Sequence, residues 1–136
     1  MRAEKTLSKH DFQRLQKIMD IGNGSEHFDR GIIEKLRYNL THSRQVEPKK
    51  IKPTVVTMNS KFVLTDLGNG KKDVFSLVFP QDSDIEENRI SVLSGIGEQL
   101  LGCSIGAVIK GALSPNQYLL VENIIYQPEA AGDYYL

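Results

Sequence analysis

Ile90-Ser91-Val92-Leu93-Ser94-Gly95-Ile96-Gly97-Glu98-Gln99-Leu100-Leu101-Gly102 is the stretch whose reading decides the fold. It opens as a strand, with Ile90, Val92 and Leu93 apolar and Ser91 breaking the run. Ser94 then suits the N-cap of a helix, because its hydroxyl can accept from a free backbone N–H one turn on. Glu98 places a carboxylate near the positive end of the helix dipole. Gly102 supplies the left-handed residue that stops a short helix. Ile96, Leu100 and Leu101 give that helix one apolar side, which must lie on a sheet. A strand, a short covering helix and a further strand over Ala107–Gly111 are the centre of a small α+β domain.

Outward from this centre the period is two. Lys61–Asp66 and Asp73–Phe79 read as strands joined by the Gly-rich hairpin turn Leu67–Lys71, and Pro80 ends the second. Thr54–Met58 reads as an earlier strand and Gln117–Tyr126 as the last, after a turn at Ser114-Pro115-Asn116. Gln81–Asn88 is a wet, acidic loop. The first third has helical spacing instead. Ser8 with Asp11 resembles a capping box, and Phe12, Leu15, Ile18 and Met19 follow as one face. Ile21-Gly22-Asn23-Gly24 breaks that helix. A second is expected from an N-cap at Ser25, over Phe28, Ile32, Leu36 and Leu40, to a stop before Pro48. Residues 1–7 read as a frayed lead-in. Two helices joined by a short turn must pack antiparallel to bury their stripes. The chain therefore divides at its proline-bracketed linker into a helical arm, 1–47, and a β body, 48–136. The linker prolines suggest that the body folds without the arm.

Composition narrows the function classes. Lys and Arg number 17, as do Asp and Glu, so no global field draws the chain to nucleic acid or to a membrane. The first 50 residues carry 11 basic and 7 acidic residues, so a basic arm sits on an acidic body. One cysteine excludes an internal disulfide and fits a reducing, cytoplasmic compartment. The run after Met1 has no apolar core, so it is not read as a secretory signal. No stretch approaches the roughly 20 apolar residues of a membrane span.

Catalytic signatures are missing. His10, His27 and His42 are widely spaced and lack a cysteine pair, so no metal site is expected. Gly68-Asn69-Gly70-Lys71 lacks the helix that a phosphate loop needs. No Ser/His/acid set is visible. Cys103 reads as a structural thiol, and Asp82, Asp84, Glu86 and Glu87 as a solvated charge run. No cofactor and no enzyme activity are expected.

Three separated motifs carry a resemblance. They are the central Ile-Ser-Val-Leu-Ser-x-Ile-Gly-x-x-Leu-Leu-Gly, the earlier Val55-Val56-Thr57-Met58-Asn59-Ser60, and the tail Tyr126-Gln127-Pro128-Glu129-Ala130-Ala131-Gly132-Asp133-Tyr134. The first resembles the signature of the C-terminal domain of the bacterial Gre transcript-cleavage factors. The other two narrow this to a Gre-like branch named for regulation of nucleoside diphosphate kinase. The resemblance implies an FKBP-like antiparallel β domain preceded by a short coiled-coil hairpin. It implies a cytoplasmic monomer that binds bacterial RNA polymerase near its secondary channel and touches nucleoside diphosphate kinase only indirectly. No sequence-specific nucleic-acid contact and no membrane contact are implied.

The same resemblance nominates two places. Gre factors carry acids at the hairpin tip in a Gly-Asp-Leu-x-Glu-Asn run, which help hold a metal ion that activates water. The tip here, with Asp20, Asn23, Glu26 and His27, does not match that run, and the arms are short. Competition with Gre-type factors without transcript cleavage is the resulting expectation. The alternatives are a weak cleavage factor using Asp20 or Glu26, a prolyl isomerase-like body, which would want a more aromatic pocket, and a regulator of nucleoside diphosphate kinase. The second place is the loop Leu93-Ser94-Gly95 with Ile96, which matches the part of the Gre body that contacts the polymerase. Gly95 stands where proline is usual, and Leu93 where some members have an acid. Leu93→Asp is expected to change polymerase affinity, with little change in melting temperature if the Leu93 side chain is exposed, and Ser94 can be cap and contact at once.

Overall fold

The computed structural model describes residues 5–22, 29–111, 116–134 and 136, with the backbone alone at 21 and 22. The expected cap at Ser25, the tip residues Asn23, Glu26 and His27, and the turn at Ser114-Pro115 lie outside the described residues.

The architecture is α+β: a helical hairpin followed by a β domain. The arm begins with a strand where a frayed lead-in is expected. Strand β1 (Thr6–Ser8) pairs in parallel with β2 (Arg44–Val46), and Leu7 is fully buried between arm and body. Between them run α1 (Lys9–Gly22) and α2 (Arg30–Thr41). Ser8 caps α1 as expected, its Oγ accepting from the Asp11 N–H at 3.0 Å.

The second helix is shorter than its spacing predicts. Asp29 caps its start, accepting from the N–H groups of Gly31 and Ile32. At the other end Thr41 Oγ1 and Ser43 Oγ bond back to the carbonyls of Arg37 and Asn39. Such back-bonds compete with helix propagation. The next residues then gain ladder bonds from β1, so the helix stops at Thr41 rather than near Pro48.

The body is a five-stranded sheet in the order β5-β4-β3-β7-β6. Its strands are β3 (Lys61–Asp66), β4 (Lys72–Val78), β5 (Arg89–Ser91), β6 (Val108–Lys110) and β7 (Tyr118–Tyr126). All neighbours are antiparallel except β4 and β5. The β3–β4 turn closes as its sequence dictates. Asp66 Oδ1 accepts from the Gly68 N–H, and Gly70 takes a φ of 73°. Helix α3 (Gly95–Leu100) follows β5, and Gly102 takes a φ of 79° just beyond it.

Thr54–Met58 is not a strand. Only Val55 forms a bridge, to Ser104, and Asn59 turns the chain with a φ of 64°. Val55, Val56, Thr57 and Met58 are all buried, which no alternating strand with one wet face allows. The segment threads through the core and bonds to the Gly102–Cys103 turn: Val56 N–H to the Cys103 carbonyl, Gly102 N–H to the Val56 carbonyl. That core is one cluster. Leu7, Leu15, Met19, Ile33, Leu36 and Leu40 of the arm join Val56, Met58, Phe62 and Leu100 of the body.

Candidate functional site

The loop after β5 is built by short-range bonds. Ser91 Oγ accepts from the Leu93 N–H at 3.1 Å, and Ser94 Oγ donates to the Ser91 carbonyl at 2.7 Å. Ser94 Oγ also accepts from the Gly97 N–H at 3.0 Å, which makes it the N-cap of α3. Gly97 is the tightest point. A Cβ there would stand 2.0 Å from the Ser91 carbonyl oxygen, so only glycine lets α3 close onto β5. The loop is therefore held rigidly from both ends.

Its four nominated residues differ in what they present. Gly95 is exposed, and a Cβ added there would meet open space. Ser94 is half-buried and occupied as a cap. Leu93 and Ile96 are half-buried and pack against the core cluster, so an acid at Leu93 would also cost stability. At the arm, Asp20 is exposed in the last turns of α1. Among the described residues no group of three or more His, Cys, Asp or Glu side chains lies close enough to hold a metal ion. No helix among them is long and apolar enough to cross a membrane.

A polar cluster unforeseen from sequence joins arm to body. Asp11 is buried at the start of α1. Its Oδ2 accepts from the Met58 N–H at 3.1 Å, and its Oδ1 accepts from Arg14 Nη2 at 2.6 Å. The Arg14 guanidinium lies 4.7 Å from the centre of the Phe79 ring, a cation–π contact on the body. Nearby, Thr57 Oγ1 donates to the buried Glu129 carboxylate at 2.6 Å, and Ser60 Oγ accepts from the Thr57 N–H. Burial raises the Asp11 pKa above its ordinary value, against the lowering pull of Arg14 and the Met58 N–H. Burial also raises that of Glu129, and the Asp11 charge adds to the shift. The only sequence hints were the Ser8/Asp11 box and the fact that Thr57, Ser60 and Glu129 fall inside the resemblance motifs. In place of closing a reciprocal capping box, the Asp11 carboxylate reaches across to the body.

Comparison with known proteins agrees with this architecture. Residues 47–118 match the family described as "Transcription elongation factor, GreA/GreB, C-term". The regulator of nucleoside diphosphate kinase of Escherichia coli is 35% identical over 107 residues, covering 77% of this chain and 79% of that protein. Transcription elongation factor GreA of Syntrophus aciditrophicus is 34% identical over 83 residues, 61% of this chain and about half (52%) of that factor. Among solved structures, the transcription elongation factor GreA/GreB of Nitrosomonas europaea superposes with a TM-score of 0.76 at 27% identity, over 92% of this chain and all (100%) of that one. With more than half of its length inside the family and both arm and body matched in one solved member, the chain belongs to the GreA/GreB transcription elongation factor family.

Proposed function

We propose that this protein is a regulator of transcription that binds bacterial RNA polymerase near the secondary-channel entrance, competes there with Gre-type factors, and does not stimulate transcript cleavage. The observation that carries the docking half is the rigid loop at Ser94-Gly95. It projects from a strand end into a capped helix, and at its one exposed residue, Gly95, an added Cβ would meet open space. A contact surface held from both sides loses little entropy on binding. Leu93 and Ile96 support that surface from beneath, and Ser94 fixes its shape.

The non-cleaving half rests on the arm. Helices of 14 and 12 residues rise about 21 and 18 Å at ~1.5 Å per residue. The tip sequence departs from the Gly-Asp-Leu-x-Glu-Asn run, and a metal ligand must sit within about 2–2.5 Å of its ion. The name of the Escherichia coli relative motivates a second reading, an effect on nucleoside diphosphate kinase, which we place downstream of transcription.

A pull-down with purified RNA polymerase tests the docking, with Gly95→Glu compared against Lys61→Glu on the exposed start of β3. Gly95→Glu should weaken capture about tenfold, the equivalent of ~1.4 kcal/mol, with both variants folded. Equal capture of the two would move the docking point elsewhere. Backtracked elongation complexes test the second half. They should release no short 3′ RNA, and metal-dependent cleavage lost in Glu26→Ala or Asp20→Ala would overturn the reading.

A further inference from the structure

A groove of about 780 Å³ runs between α2, α3 and β6. It is a different surface from the arm–body cluster, and it meets the proposed docking loop only at Gly95. Three features coincide in it. The first is charge. Lys35 and Lys110 line it, and among the described residues neither is in an ion pair. Lys5 adds a third cation, its Nζ donating to the Gln99 carbonyl at 2.9 Å. The acid in the lining, Glu98, is buried and accepts a hydrogen bond from Asn39. The second is exposed apolar surface. Tyr38, Ile105 and Val108 are 60, 38 and 52% exposed, and all three line this one groove.

The third feature is a sheet edge. β6 is the last strand of the sheet. Ala107 and Gly111 bond inward to Val121 and Gln117 of the β7 side, so by the antiparallel alternation Val108 and Lys110 turn their backbone groups outward. At Lys110 a side-chain amide stands where a strand would. Gln99 Oε1 accepts from the Lys110 N–H at 3.0 Å, and Gln99 Nε2 donates to the Lys110 carbonyl at 3.1 Å. The opposite edge is closed differently, by backbone bonds between Arg89 and Asp84.

We propose that this groove binds an extended acidic peptide segment of a partner protein, which adds as a strand to the β6 edge. Its backbone takes the outward groups of Val108 and displaces the Gln99 amide at Lys110. Its carboxylates meet Lys35 and Lys110, and its aliphatic side chains cover Tyr38, Ile105 and Val108. Strand addition of this kind draws affinity from the main chain and specificity from alternate side chains. Charge complementarity selects this occupant: with one buried, bonded acid against three cations, the groove favours a negatively charged segment. The proposal stands apart from the polymerase reading, since no polymerase is needed to test it.

The test uses the full chain and a fluorescein-labelled peptide alternating glutamate with valine, followed by fluorescence anisotropy and by backbone NMR shifts. Binding should shift the Val108 and Lys110 amides and the Gln99 side-chain amide. The Lys35→Glu/Lys110→Glu double variant should weaken it at least tenfold without moving the melting temperature, and added salt should weaken the wild-type complex. A peptide with lysine in place of glutamate should not bind. Equal binding of both peptides, no binding at all, or shifts confined to other surfaces would overturn the proposal. So would concentration-dependent dimers that the double variant abolishes, for they would assign the edge to a second copy.

Discussion

Two helices of this protein begin in the same way and do opposite things. Ser8 and Ser94 each accept, at 3.0 Å, from the N–H three residues on. At α1 the cap is buried, and the residue it serves, Asp11, sends its carboxylate across to Met58 and Arg14. At α3 the cap is half-exposed, and the next residue, Gly95, faces solvent over an open space. The first start is a joint and the second is a surface. Local cap chemistry is therefore shared, and burial decides what the cap is for. Of these two helix starts, α1 should carry the larger consequence for stability and α3 the larger one for the proposed docking.

The most severe way to break this contrast is to remove the joint. The core cluster is continuous from Leu7, Leu15 and Leu36 into Val56, Met58 and Phe62. Each buried leucine contributes about 2 kcal/mol of transfer free energy. A fragment of residues 48–136 should lose cooperative melting, contrary to the independence that the linker prolines suggest. A sharp calorimetric transition near that of the full chain would show that the arm is an accessory. Next in size is Asp11→Ala. It leaves the Met58 N–H without its acceptor and Arg14 without its carboxylate, a loss of about 3 kcal/mol. The melting temperature should fall by roughly 10 °C. A fall of only a degree or two would remove the cluster from the list of what holds arm to body.

How much of this could be read beforehand follows the range of each interaction. The β3–β4 hairpin and the Ser94-capped α3 were legible because their determinants, Asp66 with Gly70 and Ser94 with Gly97, lie within a few residues of one another. β1 was not. Thr6–Ser8 is three residues long, and its partner Arg44–Val46 lies beyond two helices. Thr54–Met58 misled because apolar, β-branched composition suits a strand, while its consecutive burial belongs to a segment surrounded by protein. The proposed docking loop was legible as a strand end and a cap. Ile96 was legible too, on the apolar side of α3, but the inward turn of Leu93 was not, because it depends on how closely Gly97 seats α3 on Ser91. The joint was hidden for the same reason as β1: Asp11 and Met58 are 47 positions apart.

The matched pair Ser8→Ala and Ser94→Ala sharpens the comparison directly. Loss of a cap costs about 0.5–2 kcal/mol, with buried caps at the upper end. Ser8→Ala should therefore cost about 2 kcal/mol, because the Asp11 N–H would be left buried and unbonded. Ser94→Ala should cost about 0.5–1 kcal/mol, since water can replace the hydroxyl at a half-exposed site. Urea titrations of both variants give the difference. A reversed order would mean that burial is not what separates the two helix starts.

The smallest expected effect is also the most specific to the joint, and it is read in the pH dependence of stability. Asp11 and Glu129 both have pKa values raised above their ordinary 3.8 and 4.5, chiefly by burial. Between the ordinary and the raised values the folded state holds more protons than the unfolded chain. Stability from these two groups therefore falls as pH rises through that window, and acidification into it is relieving. Asp66 and Glu122 act the other way. Hydrogen bonds from Gln117 to Asp66 and from Lys72 to Glu122 lower their pKa values, so their stabilisation is present above the ordinary carboxylate range and fades as pH drops through the lowered values. Both carboxylates are partly exposed, where screening keeps the contribution small. Glu129→Gln separates the two sets, because an amide keeps an acceptor for the Thr57 hydroxyl and cannot ionise beside Asp11. Denaturant midpoints measured from pH 4.5 to 7.5 should decline less steeply in Glu129→Gln than in the wild type, with the variant gaining most at the neutral end. The counterpart substitution Glu122→Gln should flatten the opposite slope, which appears when the titration is extended below pH 4.5. Parallel curves for wild type and Glu129→Gln would mean that Glu129 titrates like a solvated acid, and the joint would then reduce to Asp11, Arg14 and the Met58 amide.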